Sequence, residues 1–290
     1  MRAKLTINLD EISSNLDVSF AFLKEMDLHT CELRIINGKN ISLMNKEEII
    51  KFSKKLELEG IIPVSIASPI FKWNVSKSQD NVVYDNFGIS PNLSFKEKEK
   101  LIDNILEYAE ILAIDKIRIF SYLGKMDNPF SYFLNNGLLE KIKKSNLTFL
   151  LENEPACTIY TKKHLEYLTD LITNNHMYNI KIWLDIANLI QVGEEINESF
   201  IEKIAPYIEY VHIKDFIYSG NSIKYVPVGD GIINYMKIMS LLNKHIPNSQ
   251  DITISIETHA SNEKEKYEYS KRSIISLREI LKGVKYENYR

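Results

Sequence analysis

A chain of 290 residues, 44% hydrophobic and 26% charged with a formal net charge of −3, has the make-up of a soluble globular protein with a full-sized core. That charge gives no electrostatic reason to expect a nucleic-acid groove or an anionic-membrane surface, and two cysteines, Cys31 and Cys157, are too few for a disulfide framework. No uncharged apolar run nears the ~18–20 residues that span a bilayer, and the opening stretch is broken by Asn8 and Asp10, so a reduced, cytoplasmic protein with no nucleic-acid and no membrane partner is expected.

In chain order, short β-branched runs alternate with longer helical patterns. The predicted strands are Leu5–Leu9, Glu32–Ile36, Ile61–Ile66, Lys116–Phe120, Leu147–Leu151, Ile180–Leu184, Tyr210–Ile213 and Ile252–Ile256. Asp10 is expected to cap a first helix through Leu16, Phe20 and Leu23, and Gly60 to end the second. Apolar residues at helical spacing predict helices over Glu97–Leu112 and Ile232–Leu242, and Ser145 or Asn146 marks a further helix end. Eight strand–helix pairs in one chain without a linker predict a single α/β domain over 1–290, a (β/α)8 TIM barrel. A doubly wound open sheet is the second choice. The stretch Ala67–Leu93, with Pro69, Trp73, Gly88 and Pro91, follows the third strand and reads as a lid on the catalytic face or as a surface insertion.

Four apolar runs close on a lone polar residue: Thr148-Phe-Leu-Leu-Glu152, Lys181-Ile-Trp-Leu-Asp185, Tyr210-Val-His212 and Thr253-Ile-Ser-Ile-Glu257. In a barrel all four stand at the C-terminal rim, where chemistry gathers. An isolated buried carboxylate costs several kcal/mol unless neutralised, paired or bound to metal. Singly, each of the four is as well explained by capping the next helix or by pairing with Arg34, Arg118, Lys181 or Lys214. Together, three carboxylates and an imidazole point to one divalent metal ion: Mn²⁺, Mg²⁺, Co²⁺ or Zn²⁺.

The segments Leu151-Glu152-Asn153-Glu154-Pro155, Leu184-Asp185-Ile186-Ala187-Asn188, Val211-His212-Ile213-Lys214-Asp215 and Ile256-Glu257 resemble the xylose isomerase-like barrel superfamily, in its sugar (phosphate) isomerase/epimerase branch. Val228-Gly229-Asp230-Gly231 before a helix and Cys31-Glu32-Leu33-Arg34 with Gly38-Lys39-Asn40 on strand two fit the same pattern. The resemblance implies a cation on Glu152, Asp185, His212 and Glu257 that binds the carbonyl and adjacent hydroxyl of a sugar. Proton abstraction beside a carbonyl builds charge on oxygen, and a cation there stabilises the enediolate. Glu152 and Glu257 take the paired acid/base roles, leaving Asp185 and His212 as ligands only. Many relatives carry histidine two residues after the strand-five glutamate or at the position of Asn188; Glu154 and Asn188 stand there instead and are expected to face the substrate.

Lys214, inward by strand parity, either holds a substrate oxygen or phosphate or pairs with Asp185, Asp215 or a nearby glutamate. Glu32 and Arg34 either bind a polyol or pair with one another. Trp73 either stacks on a sugar face or packs locally. His259 is the other histidine near the rim, and no second ligand set is evident. An apurinic endonuclease needs further histidines on strands three and four, which end in Ala67-Ser68 and Phe120-Ser121. A dehydratase or lyase of an inositol-type or sugar-acid ketone shares the first proton abstraction, and a non-catalytic sugar-binding barrel is the other alternative. No P-loop or dinucleotide fingerprint is present. The expected partner is a small sugar or polyol, and a homo-oligomer is left open.

Overall fold

The computed structural model of the chain describes residues 2–74, 87–134, 137–220 and 222–288. Eight parallel strands are present: β1 (Arg2–Ile7), β2 (Thr30–Leu33), β3 (Ile62–Ile66), β4 (Lys116–Ile119), β5 (Thr148–Glu152), β6 (Ile180–Asp185), β7 (Ile208–Ile213) and β8 (Asp251–Ile256). Each pairs with its sequence neighbour from β2 round to β8, and β8 pairs with β1, which makes a nearly closed barrel. The remaining seam, between β1 and β2, is bridged at Asn8 and Glu32 and by Thr30 Oγ1, which donates to the Leu5 carbonyl at 3.0 Å. The short strand Glu287–Asn288 pairs with Arg2 and Ala3. These strands are runs of Ile, Leu and Val because both faces are covered, one by the barrel interior and one by the helices.

The helical coat includes α1 (Leu16–Glu25), α2 (Lys46–Glu59) and α3 (Phe95–Ile111). Asn15 caps α1 through the Asp17 amide, so the expectation for Asp10 fails: that carboxylate is drawn away to Arg34 and the Ile35 amide. Reciprocal capping boxes open α2 (Asn45 with Glu48) and α3 (Ser94 with Glu97), and Gly60 ends α2 in the left-handed region at φ 69°. The helix expected over Ile232–Leu242 begins later, at Tyr235, because Asn234 is its cap. No helix among the described residues is long and apolar enough to cross a membrane.

Two departures near the rim shape the site. Strand two ends at Leu33 rather than Ile36, and Ile35–Ile36 folds onto Lys39–Asn40 as a small hairpin. Asn37 and Gly38 both hold positive φ at its turn, the pairing that tight hairpins favour. After β7 the chain forms a second hairpin, Asp215–Ser219 against Ser222–Val226. The Asp215 carboxylate fixes its base by accepting the backbone N–H groups of Phe216, Gly229, Gly231 and Ile233. This explains the Gly-Asp-Gly segment: a methyl on Gly231 would overlap the Asp215 carboxylate and come within 2.6 Å of the Phe216 carbonyl oxygen. Gly231→Ala is therefore expected to cost about 2–3 kcal/mol of stability, read as a lower urea midpoint at unchanged slope.

Of the stretch Ala67–Leu93, residues 75–86 lie outside the described residues. Trp73 is fully buried against Phe71, with ring centroids 5.6 Å apart, the local packing that is the other reading of this residue.

Candidate metal centre

Inside the barrel, Ala67, Leu150, Trp183 and Tyr210 pack into one apolar plug, as the inward parity of Leu150 and Trp183 requires. The polar groups stand above it. Glu152 and Asp185 are the last residues of β5 and β6, His212 is the penultimate residue of β7, and Glu257 follows β8 with its amide still bonded to the Ile213 carbonyl. The register sets Asp185 beside His212 and His212 beside Ser255. All four side chains are buried, and one ligand atom from each lies within 4.8 Å of the others.

His212 Nδ1 is 3.0 Å from Glu152 Oε1, 3.4 Å from Glu257 Oε2 and 4.0 Å from Asp185 Oδ2. Ligand atoms around a tetrahedral ion with bonds of ~2.1 Å stand about 3.4 Å apart, so the cluster is close to the span an ion needs. Asp185 divides its work: Oδ1 accepts the Asn188 amide at 2.8 Å as a helix cap, while Oδ2 receives no hydrogen bond and faces the cluster. Lys214 Nζ lies 2.7 Å from that oxygen, an ion pair without hydrogen-bond alignment, and 3.1 Å from Glu257 Oε2. Pairing with Asp185 is thus the reading of Lys214 that the structure supports.

Buried carboxylates outnumber the buried cations around the cluster. Asp10, Glu11, Glu32, Glu152, Glu154, Asp185 and Glu257 outnumber Arg34, Lys72, Arg118 and Lys214. A divalent ion with neutral His212 would remove most of that surplus. Burial pushes the Asp185 carboxyl above its ordinary range even against the pull of Lys214, as expected of a carboxylate short of positive charge. Burial also pushes Glu257 up, but Lys214, then His212 and His259, outweigh it and hold the group well below the carboxylate range. For His212, burial is outweighed by Glu32 and Glu257, which raise it well above its ordinary value. The donor set therefore fits a divalent ion, which at Nδ1 would compete with a proton. Ion affinity is expected to rise with pH, by up to about tenfold per unit, which titration calorimetry at two pH values would show.

Arg34 does not pair with Glu32. Beyond the bend it bonds Asp10 (2.7 Å), Glu11 (2.5 Å) and Glu257 (2.5 Å). Glu32 instead meets Asn8, Tyr210 and His212 and does not line the cavity beside the cluster. Asn188 likewise turns to the backbone: its Nδ2 donates to the Asn153 carbonyl, and the Asn153 side chain in turn exchanges both hydrogen bonds with the Asp185 backbone. That Asn153 brace could have been read from its place after Glu152 on the strand end. Glu154 does reach the cavity, opposite Lys72 at 3.5 Å.

A cavity of about 220 Å³ opens directly on the cluster, lined by Glu152, Glu257, Glu154, Lys72, Arg118 and His259 among others. Arg118 bonds Glu152 at 3.1 Å. A second cavity, of about 540 Å³, lies beside it past Phe87 and His259 and is lined by Arg34, Glu11 and Lys39. His259 and Glu11 close on the far side of Glu257, so a second group of ligand-type side chains exists where the sequence suggested none. Arg34, Thr258 and the His259 amide already satisfy Glu11.

Fold and site together define a (β/α)8 barrel with a carboxylate–histidine centre at its C-terminal rim. The chain belongs to the xylose isomerase-like TIM barrel family, whose model matches residues 20–280. Solved structures of similar fold include the probable 3-DHS dehydratase AsbF from Bacillus anthracis (17% identity, TM-score 0.68, covering 95% of this chain and 98% of that one). A D-tagatose 3-epimerase-like protein matches at 17% identity and TM-score 0.68, over 97% and 98% of the two chains. The IOLI protein with a binding zinc atom matches at 16% and 0.65, again over 97% and 98%. A partial likeness joins 122 residues, 42% of this chain, to tRNA(Ile)-lysidine synthase of Wigglesworthia glossinidia brevipalpis at 31% identity; the match spans 26% of that synthase's length.

Proposed function

We propose that the protein is a divalent-metal-dependent isomerase or epimerase of a small ketose. One observation carries this reading: Glu152 and Glu257 both line the 220 Å³ cavity and both approach His212 Nδ1, at 3.0 and 3.4 Å. Neighbours of the same fold named as a D-tagatose 3-epimerase-like protein and an L-ribulose 3-epimerase support the substrate class, and the zinc in IOLI supports the ion. Glu152, Asp185, His212 and Glu257 would hold the ion, which when bound supplies Lewis-acid polarisation of a ketose carbonyl. Glu257, charged at neutral pH, accepts the proton next to that carbonyl. Glu152 offers the matching carboxylate across the cavity, held in place by Arg118.

The sugar is best read as unphosphorylated. Around both cavities, among the described residues, each lysine and arginine already has a carboxylate within 4.0 Å: Arg34 with Glu257, Lys39 with Glu48, Lys72 with Glu154, Arg118 with Glu152 and Lys266 with Glu263. Among the described residues a phosphate would find no lysine or arginine there without a carboxylate neighbour, whereas hydroxyls can bridge a pair such as Lys72 and Glu154. The test is deuterium uptake from D₂O, with Mn²⁺, into ketoses, their phosphates and keto-acids. Uptake into free ketoses supports the reading. Uptake confined to phosphates overturns the charge argument, and loss of water from a keto-acid assigns a dehydratase instead.

A further inference from the structure

We propose that Glu32 holds His212 in the one tautomer that leaves Nδ1 free for the ion, and so sets the affinity of the centre without touching substrate. The inference rests on the metal reading of the four strand-end residues.

The imidazole has two distinct environments. Nδ1 faces Glu152, Glu257 and Asp185. Nε2 faces only Glu32, at 3.2 Å from Oε1 and 3.0 Å from Oε2. A neutral imidazole carries one N–H; with Glu152 and Glu257 engaged by an ion on the Nδ1 side, Glu32 is the acceptor left for it, so the N–H would sit on Nε2. The Nδ1 lone pair then points at the cluster. The ring plane is fixed by Trp183, which meets His212 edge-on at 4.8 Å and 85° and stacks on Tyr210 at 3.6 Å.

Glu32 is itself held so that only a carboxylate fits. Asn8 Nδ2 donates to Oε1 at 3.0 Å and the Tyr210 hydroxyl to Oε2 at 2.8 Å, while Ser65 Oγ donates to that hydroxyl at 2.9 Å. Every partner of Glu32 is thus a donor, and the side chain is fully buried. A glutamine would turn an NH₂ toward one of these donors and leave Nε2 a weaker acceptor. A carboxylate behind a ligating histidine orients the ring and raises its basicity, and removing such a partner typically costs 10–100-fold in metal affinity.

The test is Mn²⁺ titration of metal-free wild type, Glu32→Gln and Tyr210→Phe, each shown folded by circular dichroism. Glu32→Gln is expected to weaken Mn²⁺ binding by about 10–100-fold. Tyr210→Phe removes one donor from Glu32 while keeping the ring stack, and is expected to weaken it by about 2–10-fold. In the zinc-loaded wild type, long-range ¹H–¹⁵N spectra should place the His212 proton on Nε2. Wild-type affinity in Glu32→Gln, or the proton on Nδ1, overturns the proposal. If Glu32→Gln does not fold, unchanged affinity in Tyr210→Phe overturns it equally. A wild type that binds no Mn²⁺ removes the metal centre and this inference with it, an outcome distinct from tight binding that ignores Glu32.

Discussion

Glu257→Gln is expected to slow deuterium exchange at the ketose α-carbon by about 10²–10⁴-fold, the usual worth of a positioned general base. The amide keeps the shape of the side chain and removes its charge. Four neighbours then lose their anion: Arg34 at 2.5 Å, His259 at 3.0 Å, Lys214 at 3.1 Å and His212 at 3.4 Å. Glu154 also lines the cavity, but it faces Lys72 and is not part of the four-residue cluster, so it does not replace the lost base. Measuring Mn²⁺ binding on the same variant separates two roles. A protein that keeps the ion and loses exchange assigns proton transfer to Glu257; one that loses both assigns ligation. Exchange at the wild-type rate would remove Glu257 from the mechanism.

The largest effect on stability is expected from Arg34→Met, a loss of about 3–5 kcal/mol, the range found when one partner of a buried ion pair is removed. The guanidinium bonds Asp10, Glu11 and Glu257, all of them buried, and methionine leaves three carboxylates facing one another in the same space. The pH dependence has a definite sign. Burial pushes Glu11 up, but Arg34 outweighs it and holds the group below the usual glutamate range, so its ionised form contributes stability that is lost as pH falls through the folded-state pKa. Without Arg34 these groups take up protons more readily, and the deficit of the variant should shrink on acidification. Urea unfolding at neutral and mildly acidic pH checks this. A deficit that grows on acidification would show that Arg34 acts through packing rather than charge.

Much of the fold was legible because all eight barrel strands are short apolar runs, and the four candidate ligands stood out because each closes such a run with one polar residue. Boundaries were less legible where tertiary contacts intervene. Asp10 reads as a helix cap, yet it captures the Ile35 amide, and β2 ends three residues early. That bend breaks strand parity, which is why Glu32 and Arg34, nominally on one face, serve opposite ends of the site. Asn37-Gly38 carried a hairpin signal that strand patterning overrode. Lys72 and Glu11 could not be placed, since their roles depend on long-range approach to Glu154 and Arg34. Asn188 looked substrate-facing from its position after Asp185, but the first turn of the following helix directs it to Asn153. Arg118 was legible as a pairing candidate, though not as the partner of Glu152 or as part of the cavity wall.

The central claim, that the four strand-end residues form one divalent-cation centre, is tested most directly by elemental analysis after equilibration with Mn²⁺ and removal of free ion. Wild type should retain one Mn²⁺ per chain, and a folded Asp185→Asn, His212→Gln double variant should retain none. Absence of retained metal in wild type, or equal retention in the double variant, would contradict it.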